Sequence, residues 1–350
     1  MKKHLLKVRM SFTRLQLTHK AAQRYEFDIE NVDLSIVHGL RRTILSDIPT
    51  LGLRGEENPT ITIHKNTTPL HNEFLSHRIS LIRIHFSEEA TEAYTDDEYI
   101  FECALKNNSP APLPLTTRHL TGKRNNIPLT EKELHNLFPL HPITQDPILI
   151  TRLRQGEELA FTATVVKSTS AEHASFSPVS LCTFFNLPLE ASQKTGLDKE
   201  RDYYKNEFGE PSKMRFLLEA ETALTPQYLV TKAFEILLQK VDHLYQITST
   251  HIKPTDTPNT FEVTIPNETD TLGNILQSLL FNKYIRQKTD VSYVGYFAPH
   301  PLEKTIVLKM SIQREPTPTL EDFQALFQEG LRYVEAELKN TYTTWLNSQA

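Results

Sequence analysis

The sequence predicts an α+β chain made of two diverged copies of one sheet-and-helix unit. The copies form a pseudo-dimer within one polypeptide, and a strand-rich insert interrupts the first. Three observations carry this. Ile36, Leu40 and Ile44 recur as Leu272, Leu276 and Leu280 at a constant offset of 236 residues, each set on one side of an amphipathic helix. Each helix follows a strand that ends in polar or acidic residues (IEN and PNETD), and each half closes on a long amphipathic helix. From Phe86 onward, acidic, Pro-rich and Asn-rich patches surround short strand-like runs. Any two amphipathic helices can be overlaid, so the spacing alone leaves coincidence open.

The first elements are two strands, FTRLQLT and YEFDIEN, in which apolar and polar residues alternate. NVDLSIVHGLRRTILSDIP then reads as a helix with Asp33 as its N-cap. Pro49 marks its end, because the residue before a proline avoids helical geometry. A strand (TITIHK), a polar turn (NTTP) and a short amphipathic helix (HNEFLSHRISLI) complete residues 1–85, the first part of the first unit. Residues 86–178 form the insert, with strands EYIFECAL, DPILITRL and ELAFTATVV.

Alternation returns at SLCTFF and MRFLLEAE, in the unit's second part, residues 179–247. Thr225-Pro226, an N-cap with proline at the first helical position, opens a helix with Leu229, Ala233, Leu237, Val241 and Leu244 on one stripe. TSTHIKPTDTPN, with its two prolines and several threonines, reads as a linker over 248–259. The second unit, 260–350, runs strand TFEVTI, helix DTLGNILQSLLFN, strands VSYVGYF and TIVLKMSIQ, and a long helix from Thr319. Thr319 with Asp322 resembles a capping box, and Phe323, Phe327, Leu331, Val334 and Leu338 make the buried stripe.

A narrow sheet with two helices leaves apolar surface that a second copy can cover. Each fully buried Leu or Ile contributes roughly 1.5–3 kcal/mol, so a few pairs across such a seam hold the halves together. A linker of about a dozen residues reaches roughly 20 Å. It gives an effective concentration of order mM, so the halves are expected to dock within one chain.

Composition narrows the function. The 350 residues are 39% hydrophobic and 23% charged, ordinary values for a globular chain of two or three domains. The net charge is -5, from 38 Lys+Arg against 43 Asp+Glu, which argues against a chain whose main task is gripping nucleic acid. Cys103 and Cys182 are too few for a disulfide framework or a Cys-rich zinc site. Both sit in apolar runs and read as small core residues under reducing, intracellular conditions. MKKHLLKVRM lacks the apolar core and cleavage site of a signal peptide, and no stretch reaches the length of a membrane span. The expectation is a soluble, intracellular protein.

NVDLSIVHGLRRTILSDIPTLGL, followed by NTTPLHNEFLSHRISLI, resembles the signature of the bacterial RNA polymerase alpha subunit, its archaeal equivalent and the third-largest subunit of eukaryotic RNA polymerase II. HPITQDPILITRLRQGEELAFTATVVKSTSAEHASFSP resembles the eukaryotic member's insert domain and its return to the main sheet. ETDTLGNILQSLLFN and VSYVGYFAPHPLEKTIVLKMSIQ closely resemble the small partner of that polypeptide, which is the eleventh subunit in the eukaryotic enzyme and has an archaeal equivalent of its own. The likeness covers nearly the whole chain in the right order. It implies two alpha-type dimerisation units, usually separate polypeptides, joined in one chain as in large DNA viruses of eukaryotes.

The sequence departs from these relatives in two places. FSEEATEAYTDDEYIFECAL has no counterpart of the zinc-binding cysteine loop or of the archaeal iron–sulfur cysteines. KSTSAEHASF has Ser168 and Phe176 where relatives usually have Gly and Trp.

Arg41 and Arg42 are adjacent on the signature helix, so their side chains point about 100° apart and at least one leaves the apolar seam. A surface helix often carries solvated arginines. The resemblance instead implies that Arg41 and Arg42 meet the second-largest polymerase subunit, where a guanidinium needs a bidentate carboxylate or backbone carbonyls. The seam between halves is expected at Ile36, Leu40, Ile44, Leu272, Leu276 and Leu280. His71 and His77, like His135 and His141, lack the spacing of a helical metal pair, and no HExxH occurs. His300 reads as structural, shaping the APHPLE turn. TDDEY offers acidic groups for a divalent ion or, more simply, a solvated loop. Gly273, early in its helix, is expected to pack closely on another backbone.

No phosphate-cradling, dinucleotide or nucleophile motif is present, and Gly is scarce at 10 residues. The expected function is a non-catalytic assembly scaffold of a DNA-directed RNA polymerase. The resemblance implies as partners the two largest subunits and smaller polymerase subunits, with DNA met only through the complex and no membrane. No cofactor is expected on this chain; catalytic magnesium belongs to another subunit. The host cytoplasm (a viral factory), the nucleus and the virion are the expected locations. A stand-alone interaction module unrelated to transcription would need the repeat but not these motifs. An unrecognised hydrolase would need a nucleophile–base pair that is not evident.

Overall fold

The computed structural model describes residues 9–13, 23–56, 58–95, 98–190, 202–246, 251–315 and 317–348. The signal-peptide reading, most of FTRLQLT and the Asp96-Asp97 pair of TDDEY lie outside these residues.

The chain opens with β1 (Arg9–Thr13), β2 (Gln23–Glu30), α1 (Leu34–Ser46) and β3 (Thr50–Gly52). Next come β4 (Ile61–Asn66), α2 (Asn72–Ser80), α3 (Glu88–Glu92), β5 (Tyr99–Lys106) and β6 (Leu113–Thr116). They are followed by β7 (Thr121–Arg124), β8 (Ile127–Pro128), α4 (Glu131–Leu137), β9 (Leu149–Leu153), β10 (Glu158–Thr164) and β11 (Val166–Ser168). β12 (Val179–Asn186), β13 (Lys213–Ala220) and α5 (Pro226–Leu244) return to the first unit. The second unit holds β14 (Ile252–Pro254), β15 (Thr260–Pro266), α6 (Asp270–Leu280), β16 (Val291–Phe297), β17 (Thr305–Ile312) and α7 (Leu320–Asn347).

The two units have one topology. Antiparallel sheets run β1-β2-β13-β12 in the first and β14-β15-β17-β16 in the second. The 236-residue offset carries Glu30 at the end of β2 onto Pro266 at the end of β15, and Leu34 at the start of α1 onto Asp270 at the start of α6. Register agrees: Glu30 pairs with Lys213 and Pro266 with Thr305, each pair opening a central ladder. Both outer strands even break register at the same place, between Val179 and Leu181 in β12 and between Val291 and Tyr293 in β16.

Neither sheet is covered by its own helices alone. α1 packs on α6 and α5 on α7, and a single buried cluster runs from Phe27 through Leu244 to Trp345. Trp345, near the end of α7, packs tilted against Phe27 of β2, ring centroids 5.1 Å apart, and donates from Nε1 to Thr231 Oγ1 at 3.1 Å. The last helix of the second unit thus closes the core of the first, an α+β pseudo-dimer.

The insert has a second core, built on the sheet β4-β10-β5-β7-β8. Here the structure corrects the expected boundary at residue 85. Leu53, Ile61, Leu75, Ile79 and Ile84 pack in this second core, because β4 pairs with β10 across the insert. Residues 248–250 of the expected linker over 248–259 lie outside the described residues, and the rest is corrected. Ile252–Pro254 forms strand β14 at the edge of the second sheet, where proline's missing N–H is harmless, and Ile252 is buried.

Candidate docking face around helix α1

Asp33 caps α1, accepting from Ser35 N at 2.9 Å and Ser35 Oγ at 2.6 Å. The same carboxylate reaches across the seam, accepting from Ser278 Oγ at 2.9 Å and Asn282 Nδ2 at 2.7 Å. Ile36, Leu40, Ile44, Leu272, Leu276 and Leu280 are all buried in the common cluster. α1 and α6 come close because Gly39 has no side chain: a Cβ there would lie 2.6 Å from Ile275 Cδ1. Gly273 is explained differently from the expectation. Its hydrogen side faces the Tyr296 ring, 2.5 Å from a notional Cβ, rather than another backbone.

Polar links flank this apolar seam. Lys240 of α5 bridges Asp47 at 2.9 Å and, across the seam, Glu268 at 3.2 Å. Burial holds the Glu268 carboxyl above its ordinary range even with Lys240 beside it. Arg286 pairs with Glu210 and lies 4.1 Å from the Phe208 ring, pinning a loop of the first unit to the second. Tyr245 donates to Glu335 at 2.8 Å, joining α5 to α7.

Beside the seam, Arg41 is half-buried and Arg42 exposed. With His38, Asp270, Asn274 and Tyr296 they line a cavity of about 290 Å³. Neither guanidinium forms an ion pair among the described residues. Burial, then Arg41 and Arg42, hold the His38 imidazole below its usual range. Its ring edge meets Phe184 at 4.7 Å. Cys182 lies beneath, donating to the Arg41 carbonyl at 3.7 Å, with its thiol pushed by burial to about 12. Cys103, buried in the insert, is pushed to about 11. Phe185, next to last in β12 and on the sheet face opposite Phe184, is 46% exposed. Its counterpart by register in the second unit, Phe297, is 45% exposed.

The KSTSAEHASF loop closes on itself. Arg54 bonds Ser168 Oγ at 3.1 Å and Glu172 at 2.9 Å, while Phe176 packs against Gly52 and receives Thr50 Oγ1 on its carbonyl at 2.6 Å. His300 Nδ1 accepts from Leu302 N at 3.2 Å in the APHPLE turn. Among the described residues no three or more His, Cys, Asp or Glu side chains cluster as a metal site, and no helix is long and apolar enough to cross a membrane.

The sequence reading missed Gly39, the second use of Asp33, and Lys240. A lysine interrupting the apolar stripe of ILLQKVDHL was the available signal for the last. Nothing local marks Gly39, since its reason lies on another helix.

Comparison with known proteins matches the RNA polymerase Rpb3/Rpb11 dimerisation domain to residues 26–241 and, a second time, to residues 260–343. The DNA-directed RNA polymerases I and III subunit RPAC1 of Homo sapiens is 30% identical over 196 residues, 50% of this chain and 54% of that protein. The DNA-directed RNA polymerase II subunit RPB3 of Schizosaccharomyces pombe is 24% identical over 259 residues, 66% of this chain and 86% of that protein. The chain spans about half the length of the mammalian RPAC1 relatives it matches. With two matched regions coinciding with the two pseudo-equivalent units, the chain belongs to the RNA polymerase Rpb3/Rpb11 dimerisation-domain family.

Proposed function

We propose that this chain is a non-catalytic assembly scaffold of a multisubunit DNA-dependent RNA polymerase, whose pseudo-dimer docks the two large catalytic subunits. The observation that carries it is the α1 face: the core is completed within the chain, yet Arg41 and Arg42 line a cavity beside the seam, Arg42 exposed, with no ion-pair partner among the described residues. A fork-shaped guanidinium recognises carboxylates and backbone carbonyls, and each charge-assisted bond to a partner contributes about 1.5–3 kcal/mol.

In this reading Arg41 and Arg42 bind the second-largest subunit, and smaller polymerase subunits occupy other faces. The six seam residues, Ile36 through Leu280, serve pairing within the chain. The chain supplies no catalytic group and no cofactor, catalytic magnesium sits on another subunit, and DNA is met only through the complex. Union of both units in one chain enforces equal stoichiometry and fits a polymerase of a large DNA virus, working in the host cytoplasm or nucleus.

Co-expression with the large subunits tests this. The Arg41→Ala/Arg42→Ala chain should fold normally but lose the second-largest subunit at salt concentrations that wild type withstands. Recovery at wild-type yield and salt resistance would overturn the assignment.

A further inference from the structure

Pseudo-equivalent residues meet at the seam as unlike residues. The offset of 236 carries Gly39 onto Ile275, and these two touch one another, with a Cβ on Gly39 falling 2.6 Å from Ile275 Cδ1. In a two-fold arrangement a residue that touches its own counterpart lies on the axis. The axis is therefore filled once, by a large residue from one unit against a bare backbone from the other.

A second mismatch lies to one side. α5 and α7 superpose at a constant offset of 97, since Val230, Phe234, Leu237 and Val241 fall on Phe327, Leu331, Val334 and Leu338, all buried. That offset carries Lys240 onto Glu337, while the first carries Val32 onto Glu268. Lys240 crosses the seam to Glu268 at 3.2 Å. Its counterpart Glu337 instead shares a cavity wall with Val32 and Asp33.

We propose that these two positions dictate which unit pairs with which, barring like-with-like association between chains. Two first units would set Gly39 against Gly39, leaving a hole, and Lys240 against Val32, where the ammonium keeps Asp47 but loses its second carboxylate. Two second units would force Ile275 against Ile275 into space for one, and Glu337 against Glu268, carboxylate on carboxylate. Only unlike units fill the axis and give Lys240 both carboxylates, Asp47 from its own unit and Glu268 from the other. The partner this surface fits is a unit of the opposite type, whose nearest copy is in the same chain.

Full-length variants test it, with thermal unfolding followed by Trp345 fluorescence. Gly39→Ala should lower the midpoint by several degrees on its own. Combined with Ile275→Val, which removes the opposing Cδ1, it should cost nothing, because alanine is the better helix former. Lys240→Glu and Glu268→Lys should each lower the midpoint, and the two together should lose less than the sum of the two, the remainder reflecting Asp47 beside the new carboxylate. Two differently tagged copies of the Glu268→Lys chain, co-expressed, should co-purify well above wild type, since a lysine there repels Lys240 and attracts Glu337 of a like unit. Adding Lys240→Glu should reverse this. Additive losses in both pairs, or no gain in co-purification, would overturn the proposal.

Discussion

Asp33 accepts from the first turn of α1 and, across the seam, from Ser278 and Asn282, so removing its carboxylate breaks a helix cap and a link between halves together. The cap is worth about 1 kcal/mol, and bonds to a charged acceptor about 1.5–3 kcal/mol. Asp33→Ala should therefore lose about 2–4 kcal/mol in denaturant unfolding and Asp33→Asn markedly less. A loss in Asp33→Ala no larger than the cap's about 1 kcal/mol would mean the cross-seam bonds contribute nothing. Glu337 gives a pH-dependent counterpart. Burial, with Asp33 nearby, raises its carboxyl above the ordinary value. A raised folded pKa contributes stability below the unfolded value, and that contribution disappears as pH rises through the folded one. Glu337→Gln should accordingly raise the unfolding midpoint at pH 8, with the gain shrinking toward pH 4. A gain independent of pH would show that the carboxylate's burial is not the cause.

Helix ends were the most legible elements, because capping is local chemistry. Asp33, Thr225-Pro226 and the Thr319–Asp322 capping box all stand where the sequence places them. What was illegible depends on distant partners. TITIHK reads as a strand, but periodicity does not say which sheet it joins, and it joins the insert. IKP looks like linker because proline and threonine surround it, yet Ile252 fills the edge of the second sheet opposite Val263. α4 has a capping box of its own, Thr130 with Glu133, but its seven residues bury none and so show no periodic stripe. Of the α1 surface, the buried apolar stripe was readable; Gly39 and Lys240 were not, since their roles exist only against the other unit. α7 is the element most exposed to a single change. Trp345 is 1% exposed and touches Phe27 and Thr231 of the first unit. Trp345→Ala should cost about 3–5 kcal/mol, with hydrogen exchange rising in β2 and α5 as well as α7. Exchange confined to α7 would contradict a shared core.

At the scale of the molecule, two cores are joined in part by polar contacts where α3 of the insert meets the start of α5. Glu88 accepts from Thr225 N at 3.1 Å and Oγ1 at 2.6 Å, and Glu92 pairs with Lys232 at 2.6 Å. Negative charge at a helix N-terminus is favourable there. The Lys232 and Tyr228 hydrogen bonds hold the Glu92 carboxyl below its ordinary value. Its contribution is present above the unfolded value and lost as pH falls through the folded one. Glu88→Gln/Glu92→Gln should loosen α3, seen as faster exchange there, while Trp345 fluorescence stays native; a simultaneous Trp345 change would mean the two cores are one cooperative unit. Two units of one topology pair through a common core, so the peptide link between them should be dispensable once they have met. A protease site inserted between Gln246 and His251 examines this directly. After complete cleavage, the fragments should elute together in size-exclusion chromatography at the mass of the uncut chain, Trp345 still buried. Fragments that separate under native conditions would contradict the pseudo-dimer.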